Sequence, residues 1–113
     1  MKAGDLDRFI TIERPASVED PLYGPQPGGW AVVAARVPAQ VRDDLPSKSE
    51  SSEAGIEVAS RPARVRIRYM RGLSPDMRII VHNETDEIFQ ITGGPAEIGR
   101  RQWIEFTVKA FSV

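Results

Sequence analysis

The stretch RPARVRIRYMRGLSPDMRIIV, residues 61–81, sets Arg64, Arg66 and Arg68 alternately with Val65, Ile67 and Tyr69. A period of two is strand geometry, because successive side chains leave opposite faces of a pleated backbone. A helix would scatter these arginines around its circumference. One face of this segment is therefore expected to be apolar and the other guanidinium. Three surfaces fit such a row: a solvated sheet face with cross-strand acid partners such as Glu105 or Glu87, a subunit contact, or a track for phosphates.

Working outward, the same alternation continues in MRIIVH and EIFQITG, separated by the turn formers of RGLSPD and NETD, which makes a meander. After GPAEIGRR, read as a turn, the final run QWIEFTVKAF points Ile104, Phe106, Val108 and Ala110 one way and Trp103, Glu105, Thr107 and Lys109 the other. Toward the N-terminus, RFITIERP places Ile10 and Ile12 on one face and Phe9 and Thr11 on the other, with Pro15 ending the pattern. WAVVAARVPAQVR alternates Val33, Ala35, Val37, Ala39 and Val41 against polar or small residues, and Pro38 requires an edge or a bulge because it cannot donate to a ladder.

Two segments break the alternation. Residues 16–29, ASVEDPLYGPQPGG, hold three prolines and three glycines and read as a long exposed connection. Residues 43–60, DDLPSKSESSEAGIEVAS, are rich in serine and acid. A short helix over about Ser49 to Ala59 is one reading there, with Ser47 or Ser49 as N-cap and Glu50 and Glu53 favoured by the helix dipole. A mobile loop is the other. The expected fold is all-β: a small antiparallel barrel or sandwich of about six strands, with one short helix and long loops.

A chain of 113 residues suits one domain, 1–113, with a core that needs neither metal nor disulfide. With no cysteine there are no disulfides, zinc-thiolate sites or cysteine nucleophiles. No apolar run approaches the roughly 20 residues that cross a bilayer as a helix, and MKAGDLDRF lacks the apolar region of a secretory signal, so a soluble, unexported chain with no membrane partner is expected. Formal net charge is −1, yet residues 1–60 carry 6 basic and 10 acidic side chains and residues 61–113 carry 9 and 6. Such asymmetry suits contact between unlike surfaces of two copies, and a mixed sheet surface produces it as well.

No residue set points to catalysis. His82 is the only histidine, at the end of an apolar run, and has no second histidine or cysteine to complete a metal site. The acid pairs Asp43 with Asp44 and Asp86 with Glu87 fall in polar segments where carboxylates stay solvated. GGPAEIGRR lacks the lysine and spacing of a phosphate loop. Trp30 and Trp103 each open an apolar run and read as core or interface residues. Neither an enzyme nor a cofactor is expected.

In order along the chain, AGDLDRFITIERP, a loop, Trp30, VPAQV, VRIRYMRGLSPDMRIIV, EIFQITG and WIEF resemble the head-tail joining, or head-closure, proteins of long-tailed bacteriophages. The most specific part is Ile67-Arg68-Tyr69 followed, after a glycine turn, by Met77-Arg78-Ile79, with Gly4, Leu6, Arg8 and Ile12 at the start. The family pattern usually has an aromatic where Val37 and Pro38 stand, and a glycine before the glutamate matched by Glu50. The resemblance implies a virion protein, assembled in the bacterial host cytoplasm, that rings the channel beneath the portal and its adaptor, closes the DNA-filled head and receives a tail terminator or tail tube protein. DNA would pass through without sequence-specific binding, and the isolated chain could stay monomeric until a template is present. Within that setting segment 43–60, with Glu50 and Glu53, is expected as a lumenal gate and the 16–29 loop, with Tyr23, as a docking arm toward a neighbouring ring. Trp30, Arg64, Arg66 and Arg68 complete the candidate interaction residues. For the arginine row, assembly is favoured over DNA binding, since phosphate affinity would oppose passage and add a steep salt dependence. A tail-completion protein of similar architecture and a nucleic-acid-binding small barrel are the alternatives.

Overall fold

Alternating segments with one apolar face leave water most completely by wrapping that face inward, and the chain does so as a closed six-stranded barrel. The computed structural model describes residues 3–43 and 59–112. A short 3₁₀ turn, Ala3–Asp5, precedes β1 (Arg8–Asp20), β2 (Gly24–Asp43), β3 (Ala59–Arg68), β4 (Arg78–His82), β5 (Glu87–Ile98) and β6 (Trp103–Ser112). The order around the barrel is β1-β2-β3-β6-β5-β4, closed by β4 on β1, and every pairing is antiparallel.

The inward faces match the period-two reading. Ile10 and Ile12 of β1, Val65 and Ile67 of β3, Ile79 and Val81 of β4, Phe89 and Ile91 of β5, and Ile104, Phe106 and Val108 of β6 form one buried core. Met77 and Leu73 help to close the mouth from which the β3–β4 connection departs. The helix expected over about Ser49 to Ala59, and the gate expected over 43–60, fall largely outside the described residues. Among those described, Asp43 ends β2 and Ala59 opens β3, and the only helical turn is the 3₁₀ piece.

Three local readings are corrected. Residues 16–29 are not a loose connection: β1 and β2 continue through them as a two-stranded ribbon, pairing Ser17 with Pro27, Val18 with Gln26, Glu19 with Pro25 and Asp20 with Gly24. Lacking a buried face, this ribbon has no apolar alternation to read, and a ribbon tolerates proline wherever its donors point to the free edge. Gly28 lets the two strands close up, since a Cβ there would stand 2.1 Å from Val18 Cγ2.

The alternation in β2 is also interrupted. Ile10 pairs with Val37 but Ile12 with Ala34, so Thr11 faces two residues, Ala35 and Arg36, and Arg36 takes φ 52. This bulge turns Ala35 to solvent. Pro38, next to it, pairs with Phe9 on one side, while the β3 ladder begins only at Ala39.

Finally, β5 does not stop at Gly93. It runs on to Ile98 with an irregularity between the Ile91–Val108 and Ala96–Glu105 pairs, and the turn lies at 99–102. Gly94 has φ +90, and a Cβ on it would lie 2.7 Å from the Glu105 carbonyl oxygen. Gly94→Ala should therefore cost about 1–3 kcal/mol. In thermal unfolding followed by circular dichroism the midpoint should fall by roughly 4–8 °C per kcal/mol. An unchanged midpoint would contradict this backbone geometry.

Candidate assembly surfaces

The first surface is the ribbon itself, here called the arm. From Pro15 to Asp20 it extends about 17 Å at the usual rise of a strand. Asp20 Oδ1 accepts hydrogen bonds from the Leu22 amide at 2.8 Å and the Tyr23 amide at 3.3 Å, and Gln26 Nε2 donates to the Tyr23 carbonyl at 3.3 Å. These bonds, with Gly24 at φ 75, shape the tip. They hold two large apolar side chains in water: Leu22 is 84% exposed and Tyr23 76%. Between Ala16 and Trp30 the arm carries Glu19 and Asp20 and no basic residue.

The second surface is the barrel mouth where β3 ends and β6 begins. Arg68 lies over the Trp103 ring at 5.9 Å and Arg101 over Tyr69 at 6.0 Å, cation–π contacts made by two exposed arginines. Between them is an open groove of about 550 Å³ lined by Arg68, Tyr69, Arg101, Gln102 and Trp103. Tyr69 separates it from a recess of about 260 Å³ with Met70, Leu73, Pro95 and Ile104 among its walls and Arg71 and Glu97 at its border. The Tyr69 amide, donating to the Gln102 carbonyl at 3.0 Å, ties the two connections of this mouth together. Arg101 is held at φ 56, a conformation uncommon outside glycine.

On the outer barrel wall, Arg66 donates to Glu105 at 2.5 Å and Arg64 lies 3.8 Å from the same carboxylate. Arg61 bridges Asp43, at 3.2 Å, and Glu87. The Glu87 hydrogen bond first, and the Asp43 bond second, raise the Arg61 pKa above the ordinary arginine value. Exposed pairs of this kind contribute only about 0–1 kcal/mol each, so they set the register of a wall more than its stability. Glu13 accepts from Arg78 Nε at 2.8 Å, and the Arg78 guanidinium stacks on Trp30 at 4.2 Å. Trp30 and Trp103 are thus not core residues: Trp30 is 41% exposed, Trp103 is half-buried, and both face outward beneath arginines.

Sequence periodicity places Arg64, Arg66 and Arg68 on one strand face, and the structure separates them: Arg64 and Arg66 meet Glu105, whereas Arg68 meets Trp103 at the mouth. Tyr23 is at the arm tip and Trp30 at its root; Glu50 and Glu53 lie outside the described residues. Sequence reading missed Arg100 and Arg101. Their signal was present as adjacent arginines just before a tryptophan, but only the β3–β6 register, which pairs Arg68 with Trp103, brings Arg101 to Tyr69 beside Arg68.

His82 is engaged in the wall. Its Nε2 lies 2.7 Å from Thr11 Oγ1 and its Nδ1 3.0 Å from Asp86 Oδ1, which pins the β4–β5 turn to the outer face of β1. The order hydroxyl, imidazole, carboxylate is that of a hydrolase triad, but Thr11 is only 9% exposed and neither the mouth groove nor the recess beside it is lined by Thr11, His82 or Asp86. Among the described residues no three His, Cys, Asp or Glu side chains converge as a metal site, and no helix is long and apolar enough to cross a membrane.

Fold and surfaces together define a small closed β-barrel that extends an acidic, apolar-tipped ribbon past a basic, aromatic mouth. The chain belongs to the phage head completion protein family, whose sequence pattern matches residues 1–110. Among solved structures it is similar in fold to protein SF1141 from Shigella flexneri 2a, at 24% identity and TM-score 0.69 over 97% of this chain and 96% of that one. It is likewise similar to a chain in the virion of the native gene transfer agent particle, at 23% identity and TM-score 0.67 over 95% and 96%. No curated protein matches the sequence.

Proposed function

We propose that this chain forms a ring between the portal with its adaptor and the tail, closing the DNA-filled head and receiving the tail terminator or tail tube protein. The family match over residues 1–110 carries this reading, and likeness to a chain of a virion particle supports it. Physically, the barrel suits a structural role: a dry core is enclosed by a wall that carries cross-strand ion pairs, and the two most exposed large apolar side chains, Leu22 and Tyr23, stand at the arm tip. In this reading the protein works by contact rather than chemistry, first in the host cytoplasm and then in the virion. Genome DNA passes it without base-specific recognition.

Deletion of the reading frame from its source phage or prophage, followed by electron microscopy, tests the proposal. Separate tails beside tailless heads that have lost their DNA are expected, with joined particles restored when the chain is supplied in trans. Normal joined particles without the chain would remove the head-closure role. Full, stably closed heads lacking only tails would move the chain to tail completion.

A further inference from the structure

We propose that the arm of one copy seats on the basic mouth of the next copy in the ring, Leu22 and Tyr23 entering the recess beside Tyr69 while Glu19 meets Arg68 and Arg101. This assignment rests on the ring reading above and names the contact that would build it.

Charge complementarity selects the pair of surfaces. The arm carries two acids and no base between Ala16 and Trp30. Around the mouth stand Arg68, Arg71, Arg100 and Arg101, none of which has a carboxylate partner among the described residues, with Glu97 the acid at the recess border. Arm against arm, as in a two-fold dimer, would oppose like charges. The apolar components match as well, since Leu22 and Tyr23 touch nothing that hides them in their own chain, whereas Met70, Leu73 and Ile104 line a recess open at the mouth.

Topology supplies the direction. The arm leaves the barrel between β1 and β2, and in the order β1-β2-β3-β6-β5-β4 the position opposite that pair is β6-β5, whose 99–102 turn carries Arg100 and Arg101. β1 and β2 reach the arm at the same end where β3 finishes and β6 starts, by the antiparallel registers that link them. Knob and socket thus occupy opposite sides of one mouth. Unlike patches so disposed make a heterologous contact, which closes as a ring when each step is a rotation about one axis. Arg101 adopts φ 56, a conformation that glycine reaches without cost, so the turn holds a guanidinium at the mouth against its backbone preference.

The chain has no cysteine, so Tyr23→Cys combined with Gln102→Cys introduces the only two thiols. Particles assembled with the double variant and then oxidised should give, on a non-reducing gel, a ladder of this chain extending beyond the dimer. Mixed incorporation of the two single variants should stop at dimers. Assembled particles that yield no cross-link, or a cross-link to a different polypeptide, would overturn the proposal while leaving head closure intact. If the thiols themselves block assembly, charge exchange decides: Glu19→Arg and Arg101→Glu should each lower the yield of joined particles about tenfold, and together recover most of it. Absence of recovery overturns the proposal. So does salt-sensitive binding of a short DNA duplex by the wild-type chain that Arg101→Glu alone abolishes, with no recovery of assembly in the pair, since the mouth would then be a phosphate surface.

Discussion

Phe106→Ala unfolds this barrel at temperatures where the parent chain is stable. Phe106 is fully buried on β6, its backbone paired with Val65 of β3, and its Cα lies 3.4 Å from where a Cβ on Gly94 would be. Loss of its phenyl group opens a cavity in the one core that the described strands share. Truncating a buried phenylalanine costs about 3–5 kcal/mol, against roughly 5–15 kcal/mol of total stability for a domain. In urea titration the midpoint should fall by about a fifth of its value or more with the slope preserved, and the thermal midpoint should drop by at least about 12 °C. A variant that melts within a few degrees of the parent would mean that the strands do not converge on this ring.

Removing the arm has the opposite signature: assembly is lost and stability is kept. Pro15 and Trp30 are paired across the ribbon, so residues 16–29 can be replaced by Asn-Gly, a two-residue turn suited to a hairpin at that point. None of the buried core residues lies between Glu13 and Val33, and the barrel should keep its thermal midpoint to within a few degrees. Joined, DNA-filled particles should nevertheless fall to the level seen without the chain. Undiminished yields would show that the exposed Leu22 and Tyr23 have no partner in the particle. A large loss of stability would instead assign the ribbon a folding role that its exposure does not suggest.

These predictions separate what was legible in the sequence from what was not. β3, β4 and β6 could be read because each has one dry and one wet face, and the inward sets Val65 with Ile67, Ile79 with Val81, and Ile104 with Phe106 and Val108 follow directly from period two. The arm escaped the same reading since both its faces are wet, leaving only prolines and glycines that look like a loop. Pro38 signalled an edge or a bulge in β2, but not that the slip falls at Ala35 and Arg36, and nothing signalled the one around Gly94, because a slip is a property of two strands in register and the partner strand is distant in the chain. The candidate surfaces were half visible. Alternation marked Arg68 as outward, but its neighbours at the mouth are fixed by a β3–β6 pairing that spans more than thirty residues of chain. Family resemblance pointed to the class of protein without the contacts; the register supplied the contacts at the mouth.

One consequence concerns the time before assembly. Closure of the barrel satisfies most strand edges, yet among the described residues β2 from Gly24 to Pro38 has only β1 beside it, because the β3 ladder starts at Ala39. An open edge of that length is a template on which other chains add strands, the first step toward aggregation. Pro25, Pro27 and Pro38 each remove a donor from this stretch, and the Arg36 bulge breaks its line. The free chain is thereby protected from pairing edge to edge, and its side-chain surfaces stay exposed.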